Sequence, residues 1–150
     1  MDNKEITAVF IGNRDCYFIK ENHIEQAIVY AINMGISVFL NGGMGYFDIT
    51  CAKVVKKMKS RYPQIKCNLI IPYLEFTIPD KDLYDEIIYP LEKQSQTYFF
   101  YKRAIPERNK IMVEKSSVAI CYVYRAGGAN KTLDYAKRKE LKIIDIIKGE

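Results

Sequence analysis

Apolar runs that suit buried strands alternate with runs of helical spacing along nearly the whole chain, and this order restricts the folds open to it. Residues 6–11 are short and apolar and end at Gly12, as a first buried strand would. Over residues 21–34, Ile24, Ala27, Ile28, Ala31 and Ile32 recur at helical spacing, and Gly35 closes the helix as a C′ glycine. A strand follows at 36–40. A helix over 47–61 then turns Ile49, Ala52, Val55 and Met58 inward, with Pro63 beyond its end. Residues 66–71 read as a strand closed by Pro72. Pro79 and Asp80 start a short helix over Leu83, Ile87 and Ile88, and residues 98–101 read as another strand. Pro106 takes the first position of a helix that continues over 107–115. Strand 117–123, helix 129–139 and strand 142–147 complete the chain. This order builds a mostly parallel sheet with helices on both faces, a three-layer α/β sandwich. A chain of 150 residues makes this one domain, 1–150, with a core that needs no staples.

Ligands of such sheets bind beyond the carboxyl ends of the strands, so the turns after Ile11, Leu40, Ile71, Tyr101 and Val123 gather along one edge. Two of these turns are glycine-rich. One is Asn41-Gly42-Gly43-Met44-Gly45-Tyr46-Phe47-Asp48, and the other is Ala126-Gly127-Gly128-Ala129-Asn130-Lys131-Thr132. Glycine lets main chain approach a ligand closely, and a helix N-terminus offers free N–H groups and a dipole that favour an anion such as a phosphate. The dinucleotide fingerprint G-x-G-x-x-G is absent after the first strand, where Gly12-Asn13-Arg14-Asp15 stands, and there is no P-loop. Simple turn geometry is the alternative reading of each glycine cluster.

Several polar residues fall on the same edge. Arg14 can pair a phosphate in bidentate fashion or form a surface ion pair with a carboxylate such as Asp15. Asp48 can hold a ribose hydroxyl, act on a water, or serve the helix dipole. Arg108, Asn109 and Lys110 open the helix after Pro106, where cations are unfavourable without an anionic partner. Asn130 lies in the second glycine motif. Thr132 can donate to a phosphate or lie passively in the last helix. Among the 12 tyrosines, Tyr46, Tyr73, Tyr98, Tyr101, Tyr122 and Tyr124 stand near the edge, where a base can stack, although packing explains most tyrosines.

Composition narrows the partners. The excess of 23 basic over 18 acidic residues, +5 in all, is compatible with an anionic ligand. Lys53, Lys56, Lys57, Lys59 and Arg61 read as one solvated helix face, with nucleic-acid binding as the alternative. Cys16, Cys51, Cys67 and Cys121 are scattered and His23 stands alone, so neither a metal site nor a cofactor is expected. Cys67 and Cys121 read as core thiols, which fits a reducing cytoplasm. Met1-Asp2-Asn3-Lys4-Glu5 does not open a signal peptide, and no apolar run has membrane-spanning length.

Four motifs in order resemble the SLOG superfamily, which joins the DprA/Smf DNA-processing proteins and the LOG phosphoribohydrolases. They are Phe10-Ile11-Gly12-Asn13-Arg14-Asp15, Gly42-Gly43-Met44-Gly45-Tyr46-Phe47-Asp48, Arg108-Asn109-Lys110-Ile111-Met112-Val113 and Gly127-Gly128-Ala129-Asn130-Lys131-Thr132. The chain is most similar to the small, single-domain YpsA-like members, from about residue 6 to residue 146. The resemblance implies a Rossmann-like fold and binding of nucleotides or nucleotide-derived signals near the glycine turns. Gly42, Gly43, Gly45 and Asp48 fall on the first glycine motif. Arg108 falls on the family arginine, and Gly127, Gly128 and Thr132 on the second motif. LOG enzymes carry P-G-G-x-G-T-x-x-E there. Here Ala126 replaces the proline, three residues separate Gly128 from Thr132, and Tyr135 stands where the enzymes have glutamate, beside Asp134.

The leading expectation is therefore a cytoplasmic binding or sensing domain for a nucleotide-derived, ADP-ribose-like ligand, in a homo-oligomer. N–H groups of both glycine turns would hold its phosphates, and Arg108→Ala would weaken binding without unfolding the domain. One alternative is an N-glycosidase with Asp48 or Asp134 as acid/base group. The other is a DNA-associated protein that uses the lysine face.

Overall fold

The computed structural model describes residues 3–90 and 101–149. Six strands form one sheet: β1 (Thr7–Gly12), β2 (Val38–Asn41), β3 (Lys66–Ile70), β4 (Glu86–Ile88), β5 (Val118–Tyr122) and β6 (Lys142–Asp145). Four helices connect them: α1 (Glu21–Asn33), α2 (Gly45–Met58), α3 (Tyr101–Glu114) and α4 (Gly128–Arg138). The spatial order is β4-β3-β2-β1-β5-β6, and every pairing is parallel. The chain winds outward from β1 to β4 and then crosses to the other side of β1. That reversal puts the switch point, and its crevice, between the carboxyl ends of β1 and β5.

Alternation along β1 divides the core. Ala8 and Phe10 face α1 and α2, where they join Ile24, Ile28, Phe47, Cys51 and Met58. Val9 and Ile11 face α3 and α4, with Met112, Val113, Leu133 and Ala136. Both faces of β1 are covered, so its run is apolar without a break, as parallel strands require. The three-layer Rossmann-like α/β expectation holds. Gly35, at φ +101°, closes α1 as read.

Three local readings are corrected. Ile87 and Ile88 belong to the short edge strand β4 and not to a helix. Asp80 caps only one 3-10 turn, Lys81–Leu83, by accepting from the Asp82 N–H at 3.1 Å. The Asp85 carboxylate then accepts from the Cys67 N–H at 2.8 Å and pairs with Lys59, which draws the next residues alongside β3. Pro106 is not at a helix start. It lies inside α3, whose first residue is Tyr101. Proline has a helical φ, but as the sixth residue of α3 Pro106 forfeits one hydrogen bond and its ring crowds the Lys102 carbonyl, so the helix accommodates it at a cost. Residues 98–100 of the expected strand lie outside the described residues. Finally, α2 starts two residues early, at Gly45.

Candidate functional site

The switch point is built on the short loops that leave β1, β2 and β5, together with residues of α3 and α4. Gly12 ends β1 because nothing larger fits: a Cβ there would lie 2.4 Å from the Phe47 ring. Asn13 is buried, and its Oδ1 accepts from the Tyr124 N–H at 2.9 Å, which ties the β1 loop to the β5 loop. Asp15 repeats the tie outside. Its carboxylate accepts from the Tyr124 hydroxyl at 2.5 Å and from the Arg125 guanidinium at 2.9 Å. Those two bonds, the tyrosine's first, hold its pKa below the ordinary value. Arg14 is exposed between them.

The first glycine turn is held from within. Asn41 is fully buried; its Oδ1 accepts from the Gly43 N–H at 2.7 Å, and its Nδ2 donates to the Asp48 carbonyl at 2.8 Å. The Met44 N–H donates to Asp48 Oδ2 at 3.1 Å and the Tyr46 N–H to the Arg14 carbonyl at 2.7 Å. Three main-chain donors of this turn are thus engaged inside the protein, which departs from the expectation that they face a phosphate. Its glycines provide closeness instead. A Cβ on Gly42 would lie 3.1 Å from both the Arg108 guanidinium and Asp48 Oδ2, so the bare main chain lets these two charged groups flank it. Gly45, at φ +87°, packs against Arg14, whose Cβ, Cγ and Cα a side chain here would meet.

Arg108 is the largest fully buried side chain, 2% exposed. It lies mid-helix on the inward stripe with Ala104, Ile111 and Met112, so the dipole argument for a first-turn cation does not apply to it. Its Nη1 donates to the Ile70 carbonyl at 2.7 Å and the Gly42 carbonyl at 3.0 Å. Its Nε donates to Asn109 Oδ1 at 2.9 Å. Its Nη2 meets the Met44 sulfur at 3.4 Å, and Arg14 Nη2 approaches the same sulfur at 3.8 Å. A thioether is a weak acceptor, so two guanidinium groups converge on a position where an anionic oxygen would be the better partner. Burial lowers the Arg108 pKa to about 10, against the attraction of Asp48. Burial pushes the Asp48 carboxyl up to about 6, against the Met44 N–H bond and the pull of Arg108 and Arg14.

The second glycine turn differs from the first. Gly127, at φ +143°, precedes α4, whose start has no side-chain cap and no acidic residue in its first turn. Its N–H dipoles therefore remain available to an anion. Thr132 sits one turn in and donates its hydroxyl to the Gly128 carbonyl at 3.0 Å.

These parts enclose a cavity of about 260 Å³. Its lining includes Gly12, Arg14, Asp48, Arg108, Asn109, Gly128 and Thr132. Gly42, Gly43 and Gly45 are not in the lining. Gly127 and Asn130 are not in the lining either. Asp134 is exposed and is not in the lining. Asn13, Met44 and Arg125 line the cavity and were not singled out from sequence. Only their places beside Arg14, in the first glycine motif and before the second could have signalled them.

Elsewhere the lysine face is largely engaged. Lys56 donates to the Asp82 carbonyl, Lys59 pairs with Asp85, and Lys57 and Arg61 both reach Glu25. All four cysteines are free and buried, and burial raises the Cys16 thiol to about 11 and Cys121 to about 12. Such thiols are inert near neutral pH. Among the described residues no cluster of three or more His, Cys, Asp or Glu is placed to hold a metal ion. Among them, too, no helix is long and apolar enough to cross a membrane.

Comparison with known proteins agrees with this arrangement. The family described as YspA SLOG matches residues 5–143. No curated protein matches the chain in sequence. Among solved structures, DNA processing protein A (DprA) from Streptococcus pneumoniae superposes with a TM-score of 0.58 at 13% identity, over 93% of this chain and 49% of DprA. The chain thus spans about half the length of DprA. The molybdenum cofactor carrier protein MCP from Chlamydomonas reinhardtii superposes with a TM-score of 0.56 at 13% identity, over 93% of this chain and 75% of MCP. At such identities the likeness is one of fold.

Proposed function

The chain belongs to the YspA SLOG family, and from that premise we propose that its switch-point cavity binds a nucleotide or nucleotide-derived, ADP-ribose-like molecule through its phosphates. The observation that carries the reading is the convergence of Arg14 and Arg108 on the Met44 sulfur, in a cavity that Gly128 at the uncapped start of α4 also lines. A phosphate oxygen there would replace a weak acceptor with a charged one and meet the helix dipole as well. The cavity, about 260 Å³, lies just below the usual range for small-molecule sites, so part of the ligand extends over the rim. The name of MCP states that it carries a cofactor, which supports a small-molecule role for this fold. The buried free cysteines fit the reducing cytoplasm to which we assign the protein. A homo-oligomer belongs to the same reading, and sedimentation of the purified chain tests it.

Arg14 is the residue on which to test the ligand, because it is exposed. A nucleotide at 100 times its Kd adds about 2.7 kcal/mol of stability, seen as a rise in Tm. Arg14→Ala removes a charge-assisted bond worth about 1.5–3 kcal/mol and so weakens binding about 10- to 150-fold. Equal affinity in the variant, or no stabilisation by any nucleotide or ADP-ribose, refutes the reading.

One observation favours a second reading, hydrolysis of an N-glycosidic bond. Asp48 lines the cavity with a carboxyl held near pH 6, the range in which a group both gives and takes protons. Release of free base by the purified protein, abolished in Asp48→Asn, would establish it. The paired lysine face gives no comparable support to DNA binding.

A further inference from the structure

Beside the cavity lies an exposed aromatic patch. Tyr17 is 69% exposed and Phe18 63%, and Tyr46 and Tyr124 are partly exposed. These rings are ordered by mutual contact. Tyr17 meets Tyr46 edge-on at 5.1 Å, and Phe18 packs on Tyr124 at 5.3 Å and on Tyr122 at 5.8 Å. Tyr122 in turn leans on the buried Phe47. Tyr124 is fixed twice more, by its N–H on Asn13 and its hydroxyl on Asp15. Contiguous exposed apolar rings on a single small domain mark a place where something binds.

The position of the patch identifies its occupant. Tyr17 and Phe18 follow the cavity-lining Arg14 in the same loop. Tyr46 follows the cavity-lining Met44, and Tyr124 immediately precedes the cavity-lining Arg125. The Arg125 guanidinium lies 5.9 Å from the Tyr124 ring. The loops after β1, β2 and β5 therefore each carry both a cavity-lining residue and an exposed aromatic ring within a few residues of it in the chain. We infer that the rings of Phe18 and Tyr124 form the base-stacking platform of a nucleoside phosphate whose phosphates lie in the cavity. This rests on the phosphate reading above and adds the chemistry of the rest of the ligand: a planar aromatic base. A base suits such a platform because every base has a π-face and stacking needs no hydrogen-bond code. The arginines on the rim, Arg14 and Arg125, match the charge of its phosphates.

The chain contains no tryptophan, so Phe18→Trp installs a single indole at the platform. The probes are AMP, ADP-ribose and ribose 5-phosphate, the last of which lacks a base. AMP and ADP-ribose are expected to quench the indole saturably, while ribose 5-phosphate raises the Tm without quenching. Phe18→Ala is expected to weaken AMP about 5- to 150-fold, the worth of one stacked base, and to leave ribose 5-phosphate unchanged. Phe18→Tyr should restore AMP binding. If AMP stabilises wild type and Phe18→Ala equally and leaves the indole unquenched, the platform is overturned and the phosphate cavity stands. If the emission instead shifts with protein concentration and not with nucleotide, the patch is a self-association surface and the inference fails. If neither nucleotides nor ribose 5-phosphate bind, the cavity reading falls and takes this one with it.

Discussion

Replacing Arg108 by alanine removes more than a charge. Its Nη1 donates to two buried main-chain carbonyls, those of Ile70 at the end of β3 and Gly42 in the first glycine turn. Alanine has no donor, so both oxygens lose their partner. A buried polar group left unpaired costs about 1–3 kcal/mol, which puts the pair near 4 kcal/mol. Against this, the variant no longer buries a guanidinium, a burial severe enough to lower its pKa to about 10. Water entering from the cavity also reaches part of the vacated space. A net loss of about 3 kcal/mol follows from these opposing costs. For a domain of this size that lowers the Tm by about 6–12 °C. Thermal melts followed by circular dichroism, with urea unfolding at 25 °C, measure it. Arg108→Lys keeps a charge but reaches one carbonyl, and should recover about half of the loss. A Tm within about 2 °C of wild type for Arg108→Ala would refute the reasoning, since the arginine would then serve only the ligand. A loss of this size leaves the domain folded at 25 °C, as the expectation of weakened binding without unfolding requires, but it adds a stability effect to any effect on binding. Arg108→Ala is a stability variant first, and Arg14 is the cleaner probe of binding.

Other substitutions test the remaining parts. Gly12→Ala drives a methyl into the buried Phe47 ring, and overpacking of this kind should cost about 1–3 kcal/mol, read as a lower Tm. Gly45→Ala must adopt φ +87° against Arg14 and should destabilise by about 1–2 kcal/mol or more. Gly128→Ala meets no atom within 4 Å and should leave urea stability within about 0.5 kcal/mol of wild type. Asp48 gives a pH test. Its folded pKa, about 6, exceeds the ordinary 3.8, so the contribution of the protonated form is complete below the lower value and is lost as pH rises through the upper one. The Tm of Asp48→Asn minus that of wild type should therefore grow between pH 4 and pH 7. A constant or shrinking difference would show that ionised Asp48 is not disfavoured by folding.

The sheet and most helices could be read in advance because their signals are local. Strand runs such as Val118–Tyr122 are buried on both faces and appear as unbroken apolar stretches. A C′ glycine such as Gly35 needs only its own φ. The errors fell where a distant partner decides. β4 has three residues, too few for a period, and is held beside β3 through Asp85 and Lys59, groups far apart in sequence. Pro106 reads as a helix start because proline favours that position, and its place inside α3, against the lost hydrogen bond and the ring–carbonyl clash, is decided by packing that no local pattern shows.

Arg108 shows why the cavity itself was harder to read. In sequence it stands between Glu107 and Asn109, a polar run that resembles a solvated surface. Its period gives another answer, since Ala104, Arg108, Ile111 and Met112 make one inward stripe in which the arginine replaces an apolar residue. Placing a guanidinium there is tolerable only because carbonyls at the end of β3 and in the Gly42 turn are aimed at it, and no local pattern encodes that aim. The glycine turn shows the same dependence on partners. Its donors at Gly43 and Met44 are taken by Asn41 and Asp48, side chains within the same motif. What the bare main chain of Gly42 contributes is room for Arg108 and Asp48 to approach it from either side. A glycine that accommodates a ligand and one that accommodates another part of the protein look identical in a sequence. They separate only once the hydrogen bonds of the turn have been traced to their partners.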